Sequence, residues 1–242
     1  MTKINPDIIS KSIFVRRDLQ VDCSKPINIY EILKQRDDFT IVFVPLSQKI
    51  LGFSHCDRNH KIIIINANNS LPQQNFSFAH ELYHLYFNYH NNKLKSEKAD
   101  ERLADIFAGV LLIPREALYI YIQDHKINTF RIKETELCAM ERFFGVSRKA
   151  LVIRLREEGL ISEEQKQTHS TNIKIKAAHN GFDTSYYEQK EDKYEVVGKY
   201  LSLAKELYDE GKITLSKYQS YLIDAFKADM VFNPNKEQNG NN

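Results

Sequence analysis

"FAHELYHLYF" (residues 78–87) puts His80 and His84 four positions apart, with Glu81 directly after the first histidine. On an α-helix, residues four apart lie one above the other, so both imidazoles can address a single ion. Glu81 is turned by about 100° from His80, within reach of a water held by that ion but off the ligand direction. A zinc hydrolase needs that division of labour: two neutral nitrogens hold the metal, an open position holds water, and a carboxylate takes the water's proton. The bland alternative is a polar accident on an apolar helix. It is disfavoured because unpaired polar groups inside a core cost kilocalories.

Two histidines leave the ion short of a third protein ligand, and "ADERLADIFAGVLLIP" (99–114) offers one. With Glu101 as reference, Ala104 and Ala108 share its helical face, and small residues there let this helix approach the histidine helix closely. Asp105, one turn on, is spaced to accept a hydrogen bond from a ligating histidine and fix its tautomer. Glu97 and Asp100 read as a solvated face and Glu101 as the third ligand. The expected cofactor is one zinc ion per chain, although manganese or iron suits the same ligand types.

The segments around this pair predict an α+β fold. "PINIYEILKQRDDF" (26–39) has helical spacing, and "TIVFVPL" (40–46), "KILGFSHC" (49–56) and "KIIIINA" (61–67) read as a small antiparallel sheet. After the loop "NANNSLPQQN", a helix is expected from Phe76 with Ser77 as its cap, then a second over about 97–112 that ends before Pro114. The organisation expected is a catalytic unit over 1–165, with a helix-turn-helix-like part at 137–161. A polar connector at 166–193, with a brief strand at "NIKIKA", leads to a helical hairpin at 194–230 and a disordered tail at 231–242.

The motifs resemble the ImmA/IrrE family of metallopeptidases. "FSFAHELYH" and "ExxADxFAGxLLIP" are similar to that family's F-[ST]-x-A-H-E-x-G-H and E-x-x-A-[ND]-x-F-A-x-x-L-L-x-P, in the same order at compatible spacing. The likeness extends upstream to "GFSHCDRNHKIIIIN" and downstream to "FFGVSRKALVIRLREEGLI". The resemblance implies a zincin-like, gluzincin-type fold with His80, His84 and Glu101 as zinc ligands and Glu81 as general base. It also implies a site-specific endopeptidase whose substrate is a regulatory protein, typically a helix-turn-helix repressor encoded nearby on a mobile element or in a stress operon. Tyr83 departs from the pattern, standing where the family has glycine; the ring either narrows the cleft or supplies a phenol to the transition state. Tyr83, His90 and Arg131 are the candidates for an oxyanion donor.

Other functions are less well supported. "LCAMERFFGVSRKALVIRLREEGLI" (137–161) has the form of a helix-turn-helix, with Arg148, Lys149, Arg154 and Arg156 on its second helix. Glu141 before the turn, Glu157 and Glu158 beside the basic set, and a formal net charge of +2 all weigh against direct nucleic-acid binding. A metal-binding regulator that acts on a partner without proteolysis is the alternative to an enzyme, but it has no need of Glu81. The cysteines Cys23, Cys56 and Cys138 are few and dispersed, as in a reducing cytosol. The N-terminus lacks an apolar signal core and no run is long enough to span a bilayer, so the expected location is the cytoplasm, with no membrane partner.

Overall fold

The computed structural model describes residues 4–57, 60–88, 98–189 and 193–232. Helix α1 (Pro6–Asp18) starts where proline can occupy the first turn and the Asn5 side chain accepts from Asp7 N–H. The helix expected over 26–39 shrinks to α2 (Ile29–Leu33), capped by Asn28. Beyond Leu33 the chain turns instead, and Arg36 is drawn into ion pairs with Asp38 at 2.8 Å and Asp18 at 3.0 Å.

Three of the strands follow: β1 (Phe39–Val44), β2 (Gly52–Asp57) and β3 (His60–Asn66). β2 and β3 form an antiparallel hairpin, but β1 runs parallel to β3, so the sheet is mixed rather than antiparallel. Sequence neighbours are not always spatial neighbours: β1 lies beside β3, and β2 is carried past it to the outer position. The crossover at 45–51 is organised by the buried Asn66. Its carbonyl accepts from Leu46 N–H at 3.0 Å and Asn68 N–H at 3.1 Å, and its amide donates to Ile50 O at 2.8 Å and Ser47 O at 3.1 Å.

Helix α3 (Leu71–Tyr83) begins at Leu71, not Phe76. The Gln73 side chain accepts from Ser70 N–H at 2.9 Å and Pro72 sits in the first turn, so "SLPQ" is a helix start rather than part of a loop. The helix runs on into a π-turn at His84–Asn88. One face of α3 meets the sheet, where Phe78 packs against Phe43 and Tyr30 with ring centroids about 6 Å apart. Burying an aromatic side chain of that size contributes about 2–3 kcal/mol. On its other side lies α4 (Lys98–Leu112), with Ala104 and Ala108 fully buried and Phe107 against Tyr83. α1 packs on α4, and the buried Arg16 ties the two by donating to Leu111 O.

Next come α5 (Arg115–Asp124), α6 (Glu134–Phe144) and α7 (Arg148–Glu157). Gly145 turns α6 into α7 at φ +65°, and Ser147 caps α7. The stretch expected as a connector is helical: α8 (Glu163–His169), α9 (Ile173–His179) and a 3-10 turn at Thr184–Tyr187. "NIKIKA" therefore belongs to a helix. It is held against α6 by buried Ala177 and by the neighbouring turn, where Tyr186 and Tyr187 bond to Glu141. Val197, expected on a helix, lies in β4 (Glu195–Gly198), which pairs antiparallel with β1 and completes the sheet in the order β2-β3-β1-β4. Gly198 sits at φ +121°, where a Cβ would come within 2.6 Å of Phe39 O. Helices α10 (Tyr200–Asp209), α11 (Leu215–Asp224) and α12 (Ala228–Phe232) follow. Of the tail expected at 231–242, residues 231–232 close α12 and 233–242 lie outside the described residues.

If Asn66 governs the crossover, Asn66→Ala should destabilise the protein by about 3 kcal/mol, because buried partners on both strands of the loop are left unpaired. Urea denaturation would measure it; a loss under about 0.5 kcal/mol would mean water satisfies the loop in its place.

Candidate metal centre

α3 presents His80 and His84 toward α4, and Glu101 on the first turn of α4 faces them. One ligand atom from each of His80, His84 and Glu101 falls within 4.8 Å of the others. The two Nε2 atoms are 3.1 Å apart; Glu101 Oε2 lies 3.1 Å from His80 Nε2, and Oε1 lies 3.6 Å from His84 Nε2. The other ring nitrogens point outward to separate partners. His80 Nδ1 is 3.0 Å from Asp105 Oδ1, and His84 Nδ1 is 3.3 Å from Asn88 Nδ2. Two imidazoles with Nδ1 engaged and Nε2 converging beside a carboxylate are a donor set suited to a divalent cation, which would bridge an otherwise crowded pair of nitrogens.

The electrostatics separate the two rings. Burial opposes charge on His80, but the hydrogen bond to Asp105 and the carboxylates of Glu81, Asp105 and Glu101 outweigh it and raise its pKa. Burial and the neighbouring His80 lower that of His84. A cation arriving here competes with a proton on His80, so acid conditions oppose its binding.

Glu81 is buried, 6% exposed, and its carboxylate accepts from Ser54 Oγ on β2 at 2.7 Å. Burial raises its pKa, with Glu101 adding to the rise while Ser54 and His80 hold it back. A carboxylate tuned upward beside a cation-ready cluster is suited to taking and returning a proton near neutrality. Ser54 went unnoticed in the sequence. Its signal is the period-two run of small residues Gly52, Ser54 and Cys56 on the strand face that α3 crosses. At Gly52 an added Cβ would sit 2.7 Å from Ile64 O and 3.8 Å from Glu81 Cγ.

The other expected residues fall as follows. Tyr83 is 2% exposed, packed with Phe87 and Phe107, and Lys11 Nζ lies 5.5 Å from its ring centroid. The ring is part of the core between α1, α3 and α4, which accounts for bulk where the family pattern has glycine. Arg131 is exposed on the 3-10 turn Thr129–Arg131. His90 and Glu97 lie outside the described residues.

The basic set on α7 is mostly committed to the fold. Arg148 is fully buried between Glu141, at 3.0 Å, and Glu134. Arg154 is 2% exposed and pairs with Glu157 and Glu158 at 2.8 Å each, while Arg156 pairs with Glu163 at 3.3 Å. Of these four, Lys149 alone has no ion pair among the described residues. No helix among the described residues is long and apolar enough to cross a membrane.

Residues 35–156 match the Peptidase_M78 family, described as the IrrE N-terminal-like domain. No curated protein matches the chain. Among solved structures, a Mycobacterium tuberculosis transcriptional regulator is similar at 16% identity and a TM-score of 0.42. That match covers 62% of this chain and 46% of the regulator, so the chain spans under half of that protein's length.

The Ser54 hydrogen bond has a measurable sign. It stabilises the charged form of Glu81, so Ser54→Ala should move the Glu81 titration further upward. Carboxyl ¹³C NMR on metal-free protein should show the wild-type midpoint above the ordinary glutamate range and the variant higher still. Coincident midpoints would mean that the bond does not tune the carboxylate.

Proposed function

Because the chain belongs to the Peptidase_M78 family, we propose that it is a zinc-dependent endopeptidase cutting a peptide bond in a regulatory protein. The observation that carries this reading is the convergence of His80, His84 and Glu101 ligand atoms within 4.8 Å, beside the buried Glu81. His80, His84 and Glu101 would hold one zinc ion per chain. When bound, that ion supplies Lewis acidity, making a water acidic near neutrality and polarising a carbonyl. Asp105 accepts from His80 Nδ1 and keeps Nε2 free for the metal. Glu81 takes the proton of the attacking water and delivers it to the departing amine nitrogen. Ser54 holds the carboxylate in place for both transfers.

The substrate's approach is supported by the sheet. β2 is an edge strand and its Ser54 touches Glu81, so an extended peptide added along that edge would pass beside the carboxylate. The substrate class, a helix-turn-helix repressor encoded nearby and met in the cytoplasm, rests on the family resemblance of the motifs. The buried arginines of α7 support a protein partner over nucleic acid.

Purified protein should carry close to one zinc per chain, lost on His80→Ala or His84→Ala; metal analysis finding none under zinc-replete conditions would end the reading. Glu81→Gln keeps size and removes the base. It should hold zinc while cleavage of the partner falls by about 10²–10⁴-fold. A variant that still relieves repression like wild type would favour a regulator that acts by binding alone.

The anionic ligands can be ranked by chelator competition. Glu101→Ala should weaken zinc affinity severely and Asp105→Ala by only about 10–100-fold, since Asp105 acts through His80. The reverse order would reassign the third ligand.

A further inference from the structure

The metal centre proposed above needs both histidines in one tautomer, and His80 has an evident device for it in Asp105. We infer that Asn88 is the corresponding positioning residue for His84: its side-chain carbonyl accepts from Nδ1–H and so presents the unprotonated Nε2 to the ligand cluster.

The geometry leaves two choices. The atom placed against the ring is Asn88 Nδ2, 3.3 Å from His84 Nδ1. With Nδ2 facing the ring, Asn88 donates, and the imidazole proton must sit on Nε2. That nitrogen is 3.1 Å from His80 Nε2 and 3.6 Å from Glu101 Oε1, so the proton would point into the cluster and leave no lone pair for a cation. A half-turn of the amide exchanges its oxygen and nitrogen at almost no steric cost. The carbonyl then accepts from Nδ1–H, and both histidines are held alike: an oxygen on Nδ1 and a free Nε2 facing Glu101.

The backbone supports this role. His84 and Asn88 are the first and last residues of the π-turn, a local widening that recurs at functional sites. Between them the turn is pinned from two sides. The Tyr86 hydroxyl donates to Asp18, which also pairs with Arg36, and Phe87 packs on Phe107 at 5.8 Å. Residue 88 is thereby fixed beside the imidazole. An amide also suits the electrostatics, because Glu81, Glu101 and Asp105 already place three carboxylates around His80; Asn88 sets a tautomer without adding another charge.

Chelator competition with zinc alone on the full chain tests it. Asn88→Ala should bind zinc about 10–100-fold more weakly than wild type, with an unchanged thermal transition of the metal-free protein. Asn88→Asp can only accept, and should stay within a few-fold of wild type. An Asp variant as weak as the Ala variant would mean that the amide donates, and an Ala variant as tight as wild type would mean that it does nothing; either overturns the assignment. Imidazole ¹⁵N spectra of zinc-loaded wild type give a readout independent of any variant's folding. The His84 proton is expected on Nδ1, and a proton on Nε2 would refute the proposal. His84→Ala separates the two levels. If it binds zinc like wild type, the metal centre itself is misread; if it loses zinc while Asn88→Ala does not, only the role of Asn88 falls.

Discussion

A helix enclosed by a sheet on one side and a second helix on the other cannot carry two histidines and a glutamate unless each polar atom has somewhere to go. α3 is such a helix, and much of the fold answers that demand. Ser54 on β2 meets Glu81 from the sheet side. Glu101 and Asp105 meet His80 from α4. The alanines at 104 and 108 are buried because anything larger would hold α4 too far off to reach. The mixed topology follows from the same demand: β2 is carried to the sheet's outer position, where Ser54 lies under α3, and Asn66 fastens the crossover that takes it there.

The residues readable in the sequence were those whose partners lie at helical spacing. His80, Glu81 and His84 declare themselves by the i, i+4 rule, and the end of α4 was found because its apolar face is continuous and Pro114 stops it. Strand positions were readable for a similar reason, alternation within a short run. Their pairing was not, since alternation reports which side is buried and says nothing about the neighbour. β1 and β3 therefore came out parallel where an antiparallel sheet was expected. Ser54 and Asn88 stayed hidden for a different reason. One acts across the sheet–helix interface, and the other, although four residues past His84, is an asparagine in a polar stretch that nothing in the sequence marks as a histidine's partner.

The helix-turn-helix-like unit shows how far composition can mislead about surface chemistry. Its arginines resemble a phosphate-binding set when written in a line. In the fold Arg148 is locked between carboxylates and Arg154 is drawn inward, donating to Ile113 O at the end of α4. Glu141, which looked like a defect in a DNA-reading turn, is the buried counter-charge that makes Arg148 tolerable. Tyr186 and Tyr187 bring the downstream turn onto the same carboxylate and its backbone. The unit is therefore a joint between the site-bearing half and the later helices.

β4 gives the chain an order of assembly. Ile41 pairs with Val197, 156 residues later, and Gly198 lets that pairing close against Phe39. During synthesis the inner strand β1 emerges early and waits, with one edge open, for nearly the whole chain to follow. Contacts of such long sequence separation form slowly, and an unpaired strand edge is an invitation to wrong partners in the interval. The last strand thus acts as a completion signal. The sheet beneath α3 acquires its fourth member only when the distal helices are about to follow, so a prematurely truncated chain is left with β1's edge bare, the edge that β4 covers in the finished protein.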